Sequence, residues 1–302
     1  MSIAEWVTDT PDRLRTRLAH AIRAAAGLAA GPPPICEDPD EAFTPVDAVV
    51  RLVHGDLPAM MIGGLASLFF EMLHPHTMAG VAQHSRYRED ALGRVLQTAN
   101  FITHTTYGSR ESAQAAIERV RAIHERVRGV ADDGQAYRAS DEHLLGWIHC
   151  AGVSMFLAAY REFGAHPFSD ADADRYVAEG AVVARALGVS VPPMTVAELR
   201  AVVDSYRPEL RLTADAVAAR DFIARGVVRG AHQKAAYRLV VASSLSLLEP
   251  WAQDLLGVPS RPVLARTVVR PATRALNVVV RQAIPPVPPQ VTSDRPPSTT
   301  TT

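Results

Sequence analysis

Cysteine is nearly absent from this chain: Cys36 and Cys150 are the only two in 302 residues, and they form no CxxC pair. That excludes a thiolate zinc ribbon and a CxxCH haem attachment, and it favours a reducing compartment without structural disulfides. An excess of one charge is lacking too. With 31 Lys and Arg against 32 Asp and Glu, the formal net charge is −1, whereas a nucleic-acid partner calls for concentrated basic charge. Long hydrophobic runs are also scarce. The longest, PAMMIGGLASLFFEMLHP at 58–75, contains Glu71, and its uncharged part falls short of the roughly 18–20 residues of a membrane span. It reads as a buried helix, with weak membrane association through the same segment as the alternative. The opening MSIAEWVTDTPDRLRTRLAH carries acids early and lacks a secretory apolar core, so a cytoplasmic protein with no transmembrane segment is the expectation. HExxH, paired ExxH, GxSxG, Walker A and GxGxxG motifs are all missing, which removes the usual zinc-protease, di-iron, hydrolase and nucleotide readings.

What is present is helical signal. Ala, Arg, Leu and Glu are abundant, Gly and Pro cluster between periodic segments, and no alternating strand pattern persists. Helices are predicted at 12–28, 59–73 and 89–105, then from Ser109 to a closing C′ glycine at Gly129. Further helices follow after Asp141, at 170–187, 195–206, 213–225 and 230–248, with Ser169, Thr195 and Thr213 as caps. VADDGQAYRAS is a turn pivoting on Asp133-Gly134. The Pro/Thr-rich stretch from Pro285 has the composition of a disordered tail. The fold class is therefore all-α, a single globular multi-helix domain. Residues 1–35 are an N-terminal helix and Pro-rich linker, 36–255 the main domain, 256–284 a C-terminal extension and 285–302 the tail.

Eleven histidines supply the candidates for chemistry. His124 shares a helical face with Ile117, Val120 and Val127, and His149 shares one with Leu145, Gly152 and Phe156. Both should point inward, each as a core histidine or as a metal ligand. An inward imidazole without carboxylate neighbours suits a haem iron better than a hydrated hard metal. His74 and His76 could hold a metal or simply close a helix; His84 is a lone loop residue, and His104 faces terminal carbonyls. Arg94 and Thr98 are one turn apart on one face. Arg94 could pair with a propionate or, as a surface residue, with Asp90.

These stretches, taken in order, resemble the MpaB-type oxygenases, whose catalytic domain is shared with the rubber oxygenase latex clearing protein. The matching run is RVLQT at 94–98, then FITHTTYG, AIERVRAIHERVRG, DDGQAYRASDEHLLGWIH and FLAAYREFG. HPHTMAGVAQHS lies upstream and DRYVAEGAVVARALGVSVPPMTVAELRAVV downstream, so the likeness spans roughly 45–205 and extends loosely to about 255. The resemblance implies an all-helical haem b oxygenase in which His124 is the proximal iron ligand, with His149 as the alternative. It implies that Arg94 and Thr98 serve haem retention or catalysis, and that the partners are O2 and an apolar small molecule. Trp147, Phe156, Phe101 and the apolar residues of 59–73 become pocket-wall candidates. The rubber oxygenases carry a lysine just before the threonine; here that position is Gln97. A haem-binding sensor or carrier and a cofactor-free interaction protein are the competing classes.

Overall fold

The computed structural model describes residues 35–226 and 230–285; the predicted helix at 12–28 and the tail beyond Pro285 lie outside them. Among the described residues, twelve α-helices of six or more residues make up the architecture, with one short hairpin and a single helical turn at Pro262–Leu264. In chain order they are α1 (Val49–His54), α2 (Leu57–Glu71), α3 (Pro75–His84), α4 (Ala91–Tyr107) and α5 (Arg110–His124). The hairpin β1 (Arg128–Val130) and β2 (Ala136–Arg138) precedes α6 (Glu142–Phe163), α7 (Asp170–Leu187) and α8 (Val196–Tyr206). A 3-10 turn, Arg207–Glu209, leads to α9 (Ala214–Arg225), α10 (Ala231–Leu245) and α11 (Pro250–Leu255). A π-turn at Ala265–Val269 runs into α12 (Arg270–Ala283).

The helix starts are chemical. Backbone N–H groups of the first turn have no intrahelical partner, and a short polar side chain at the N-cap accepts from one of them. Ser109 does this for Ser112 N at 3.3 Å, Asp141 for His143 N at 2.9 Å, Thr195 for Glu198 N at 3.2 Å and Thr213 for Ala216 N at 3.1 Å. Ser169 and Asp172 cap each other's backbone reciprocally at the head of α7. At the other end of α7, Gly188 adopts φ 117°, a left-handed conformation open to glycine at no steric cost.

Helix α5 departs from the sequence expectation. It ends at His124 instead of running on to Gly129, because tight i→i−3 bonds from Arg126 to Ile123 O and from Val127 to His124 O break the ladder. Gly129 is then a strand residue paired with Tyr137. A Cβ there would lie 2.4 Å from Gln83 Oε1 and 2.8 Å from the Tyr137 hydroxyl, so close approach, not helix closure, explains the glycine. Val127 leaves the His124 stripe and packs with Ala79, Ala131, Tyr137 and Leu144.

The core centres on α2 crossing α6. Ile62, Ala66 and Phe69 of α2, and Trp147, Ala159 and Tyr160 of α6, are almost completely buried. α6 is long and apolar enough to cross a membrane, but its apolar side chains are this core. Side chains further along the chain close the domain. Ser244 of α10 donates to Ile62 O at 2.9 Å, and Arg281 of α12 binds the fully buried Asp56 carboxylate at 2.7 Å. Arg270 and Arg274 both reach Glu162.

Candidate functional site

One face of α6 carries Leu145, His149, Gly152 and Phe156 at helical spacing. The Phe156 ring lies over Gly63 and Gly64 of α2 and meets the His54 ring of α1 edge-on at 5.8 Å. Four residues back, a Cβ built on Gly152 would find nothing within 4 Å. One turn before that stands His149, whose Nε2 is buried without a hydrogen-bond partner. A Cβ on Gly180 of α7 would lie 3.7 Å from His149 Cε1. This face of α6 thus leaves space open beside Gly152, between Phe156 packed on α2 and His149 close to α7.

The two imidazoles of this region, His54 and His149, are in different states. His54 is satisfied at both nitrogens, by Thr106 Oγ1 at 2.8 Å and the Tyr176 hydroxyl at 3.2 Å. His149 is not. Burial pushes both down to about 4, so both rings are neutral at pH 7. A neutral ring with a free nitrogen can ligate a metal, whereas His54 would first have to give up a hydrogen bond.

Helices α4 and α5 pack against each other. The second half of α4 is fastened to α1, where Tyr107 donates to Arg51 O at 2.7 Å. Its first half is not: Arg94, Val95, Gln97, Thr98 and Asn100 are all exposed. Asp90 does not pair with Arg94; its carboxylate accepts from Gly93 N at 2.9 Å as the cap of α4. Thr98 Oγ1 donates to Arg94 O at 3.3 Å. His124 is half-buried on the last turn of α5, and its ring has no hydrogen-bond partner among the described residues. Burial holds its pKa below the ordinary imidazole value, the positive charge of Arg94 adds to the depression, and Glu125 opposes it.

Arg94 also acts on Glu71, the last residue of α2. Burial pushes that carboxyl up to about 7, while a hydrogen bond from Ser67 and the charge of Arg94 hold it from rising further. The charge of Arg94 is thus felt at both His124 and Glu71, and Arg94 and Thr98 lie one turn apart on α4, which packs against the helix that carries His124. Sequence reasoning passed over Glu71 and His54. The signal for Glu71 was available: it is the sole charge in the apolar run 58–75, and a buried acid needs a role or a partner.

The remaining candidates are placed plainly. Phe156 borders the open space, and Phe101 is half-buried on α4. Trp147 is fully buried core, its Nε1 donating to Glu71 O at 3.1 Å. His104 bonds Ser112 Oγ at 2.6 Å instead of helix carbonyls, and His84 donates to Arg128 O at 3.1 Å. His76 pairs with Asp133 at 3.1 Å, while His74 turns away toward α6.

Comparison with known proteins bears on this arrangement. A family model described as "ER-bound oxygenase mpaB/B'/Rubber oxygenase, catalytic domain" matches residues 51–281, from α1 to the end of α12. Searches of curated proteins and of solved structures found no significant match.

Proposed function

This chain belongs to the family of mpaB and rubber oxygenase catalytic domains, and on that premise we propose that it is a haem b-dependent oxygenase of an apolar small molecule, with His124 as the iron ligand. An oxygenase of this family acts with O2 on a small-molecule substrate. The observation that carries the haem reading is His124 itself: half-buried, its pKa held below the ordinary imidazole value by burial and by the charge of Arg94, and without a hydrogen-bond partner among the described residues. On α6, the open space beside Gly152 and the orphaned His149 Nε2 support the alternative ligand.

The residues fit such a group. An axial imidazole must be neutral and free at one nitrogen, and His124 meets both conditions; His149 is the alternative on the same grounds. Arg94, unpaired with Asp90, is free to hold a propionate carboxylate, where a guanidinium makes its strongest hydrogen bonds. A Cβ on Gly152 would meet nothing within 4 Å, so space stands open beside this glycine on the same face as His149. When bound, haem would supply iron redox chemistry and O2 activation.

The chain's own residues then divide the remaining work. Glu71 titrates near neutrality, so its carboxyl can hold or release a proton where oxygen chemistry needs one. Thr98 and Gln97 put hydrogen-bonding groups on the same wall as Arg94. Phe156 and the apolar face of α2 exclude water from the inner end. An apolar substrate suits a space bordered by aromatic and glycine surfaces.

The test is spectroscopic. The purified chain, titrated with haemin, should develop a b-type Soret band with one equivalent bound. His124→Ala should abolish the band, and His149→Ala should keep it. Retention in His124→Ala with loss in His149→Ala would move the ligand to His149. A folded protein that takes up no haemin overturns the haem reading. Oxygen uptake with a panel of lipids and terpenoids then separates an oxygenase from a carrier.

A further inference from the structure

At the corner between α2 and α3, remote in sequence from Arg94 and His124, three side chains converge. His74 is the N-cap residue of α3, His143 lies in the first turn of α6, and Glu209 ends the 3-10 turn after α8. Each offers one donor atom, and those three atoms all lie within 4.8 Å of one another. His143 Nε2 is 2.8 Å and His74 Nε2 3.5 Å from the same Glu209 oxygen, Oε2.

His74 is the anomaly. It is 2% exposed, yet neither ring nitrogen has a hydrogen-bond partner. Buried polar atoms in folded proteins are nearly always paired, because an unpaired one has lost its water without gaining a partner. The ring is wedged among Trp147, Tyr206 and His143, at 6.2, 6.3 and 6.0 Å between centroids, so it cannot swing out to water. The surrounding backbone is fastened as well. Tyr206 donates to His143 O at 2.7 Å, and Arg211 N donates to Leu73 O at 2.8 Å. A donor held this firmly with no partner of its own, and two more within 4.8 Å of it, are what a metal site requires of its protein.

We propose that His74, His143 and Glu209 form a binding site for a first-row divalent cation of the zinc type. Two imidazoles and one carboxylate are an established zinc donor set, and borderline cations prefer this mixture over the oxygen cages of calcium or magnesium. A cation there would replace the direct His143–Glu209 hydrogen bond with two bonds to metal and give His74 its missing partner. Three protein ligands leave a fourth position for water or a small ligand, and two of the three, His74 and Glu209, line a cavity of about 260 Å³ together with His76, Asp133 and Arg211. The site joins α3, α6 and the turn after α8, so occupancy should tie these three elements together.

The experiment uses the full chain, dialysed against chelator and titrated with zinc chloride. One equivalent should bind and survive gel filtration, and it should raise the melting temperature. Glu209→Gln and His143→Gln alter half-exposed side chains and should leave the fold intact, each weakening zinc binding at least about tenfold and cancelling the thermal shift. His74→Asn should abolish binding. Absence of stoichiometric zinc, or unchanged binding in the Glu209 and His143 variants, overturns the site. Haemin uptake should be the same in Glu209→Gln as in the wild type, so failure here is distinguishable from failure of the haem reading.

Discussion

Gly63 and Gly152 sit on the two helices that form the core, α2 and α6, and their surroundings are opposite. A Cβ at Gly63 would lie 2.8 Å from Phe156 Cδ1 and 3.0 Å from its Cα, closer than such atoms approach; at Gly152 it would meet nothing within 4 Å. The same contrast holds between whole walls. The α2–α6 seam is closed by Ile62, Ala66 and Phe69, each at most 1% exposed, whereas the first half of α4 leaves Val95 49% exposed. The α2–α6 seam is closed to solvent and the first half of α4 is open to it. A pocket that takes a large apolar group needs both: a rigid side to position it and a side whose residues still lack partners.

The largest effect expected from breaking the rigid side is at Asp56. Removing its carboxylate strands Arg281, a partly buried cation also bonded to Phe163 O, and uncaps α2. Asp56→Ala should cost about 3–5 kcal/mol in urea unfolding, the usual result of leaving one half of a buried ion pair alone. Gly63→Leu should follow, at about 1–3 kcal/mol, because the new side chain must displace Phe156.

Glu71→Gln sharpens the comparison through pH. The folded carboxyl titrates at about 7 against an ordinary 4.5, so the folded state binds the proton more tightly. Wild-type stability from this group is therefore complete below 4.5 and falls as pH rises to 7. Glu71→Gln should gain on the wild type across that window and hold the gain above it, read as urea midpoints at pH 5 and 8. His54 and His149 run the other way: folded values of about 4 against 6.5 mean stability is lost as pH falls from 6.5 to 4.

Gly152→Leu should have the smallest effect on the fold, with a melting temperature close to wild type, since nothing obstructs the side chain and helix propensity improves. It should nonetheless block haemin uptake. A Gly152→Leu protein as destabilised as Gly63→Leu would erase the distinction between the walls.

Much of this molecule is written locally. Ser109, Asp141, Ser169, Thr195 and Thr213 each begin a helix where sequence reasoning puts one, because a cap acts on N–H groups two or three residues away. The end of α5 was not legible, since Gly129 obeys a strand partner at Tyr137 and a side chain at Gln83, neither of which helical periodicity registers. The inward stripe of His124 survives only in part: the ring is half-buried, but Val127 belongs to another cluster. Glu71 was visible as an interruption in an apolar run, without any hint that Arg94 would stand near it.

The sequence by itself determined the all-helical class, the starts of the helices with a polar side-chain cap at Ser109, Asp141, Ser169, Thr195 and Thr213, and the family membership, all of which follow from short-range periodicity, capping chemistry and ordered motifs. The tertiary structure alone decided which histidines keep a free nitrogen: His54 loses its own to Thr106 and Tyr176, while His149 and His74 keep theirs. It also decided that His74 meets His143 and Glu209 across separations of more than sixty residues. The reason is physical. A hydrogen-bond partner is set by packing between helices distant in sequence, and periodicity reports the direction of a side chain but not what it finds there.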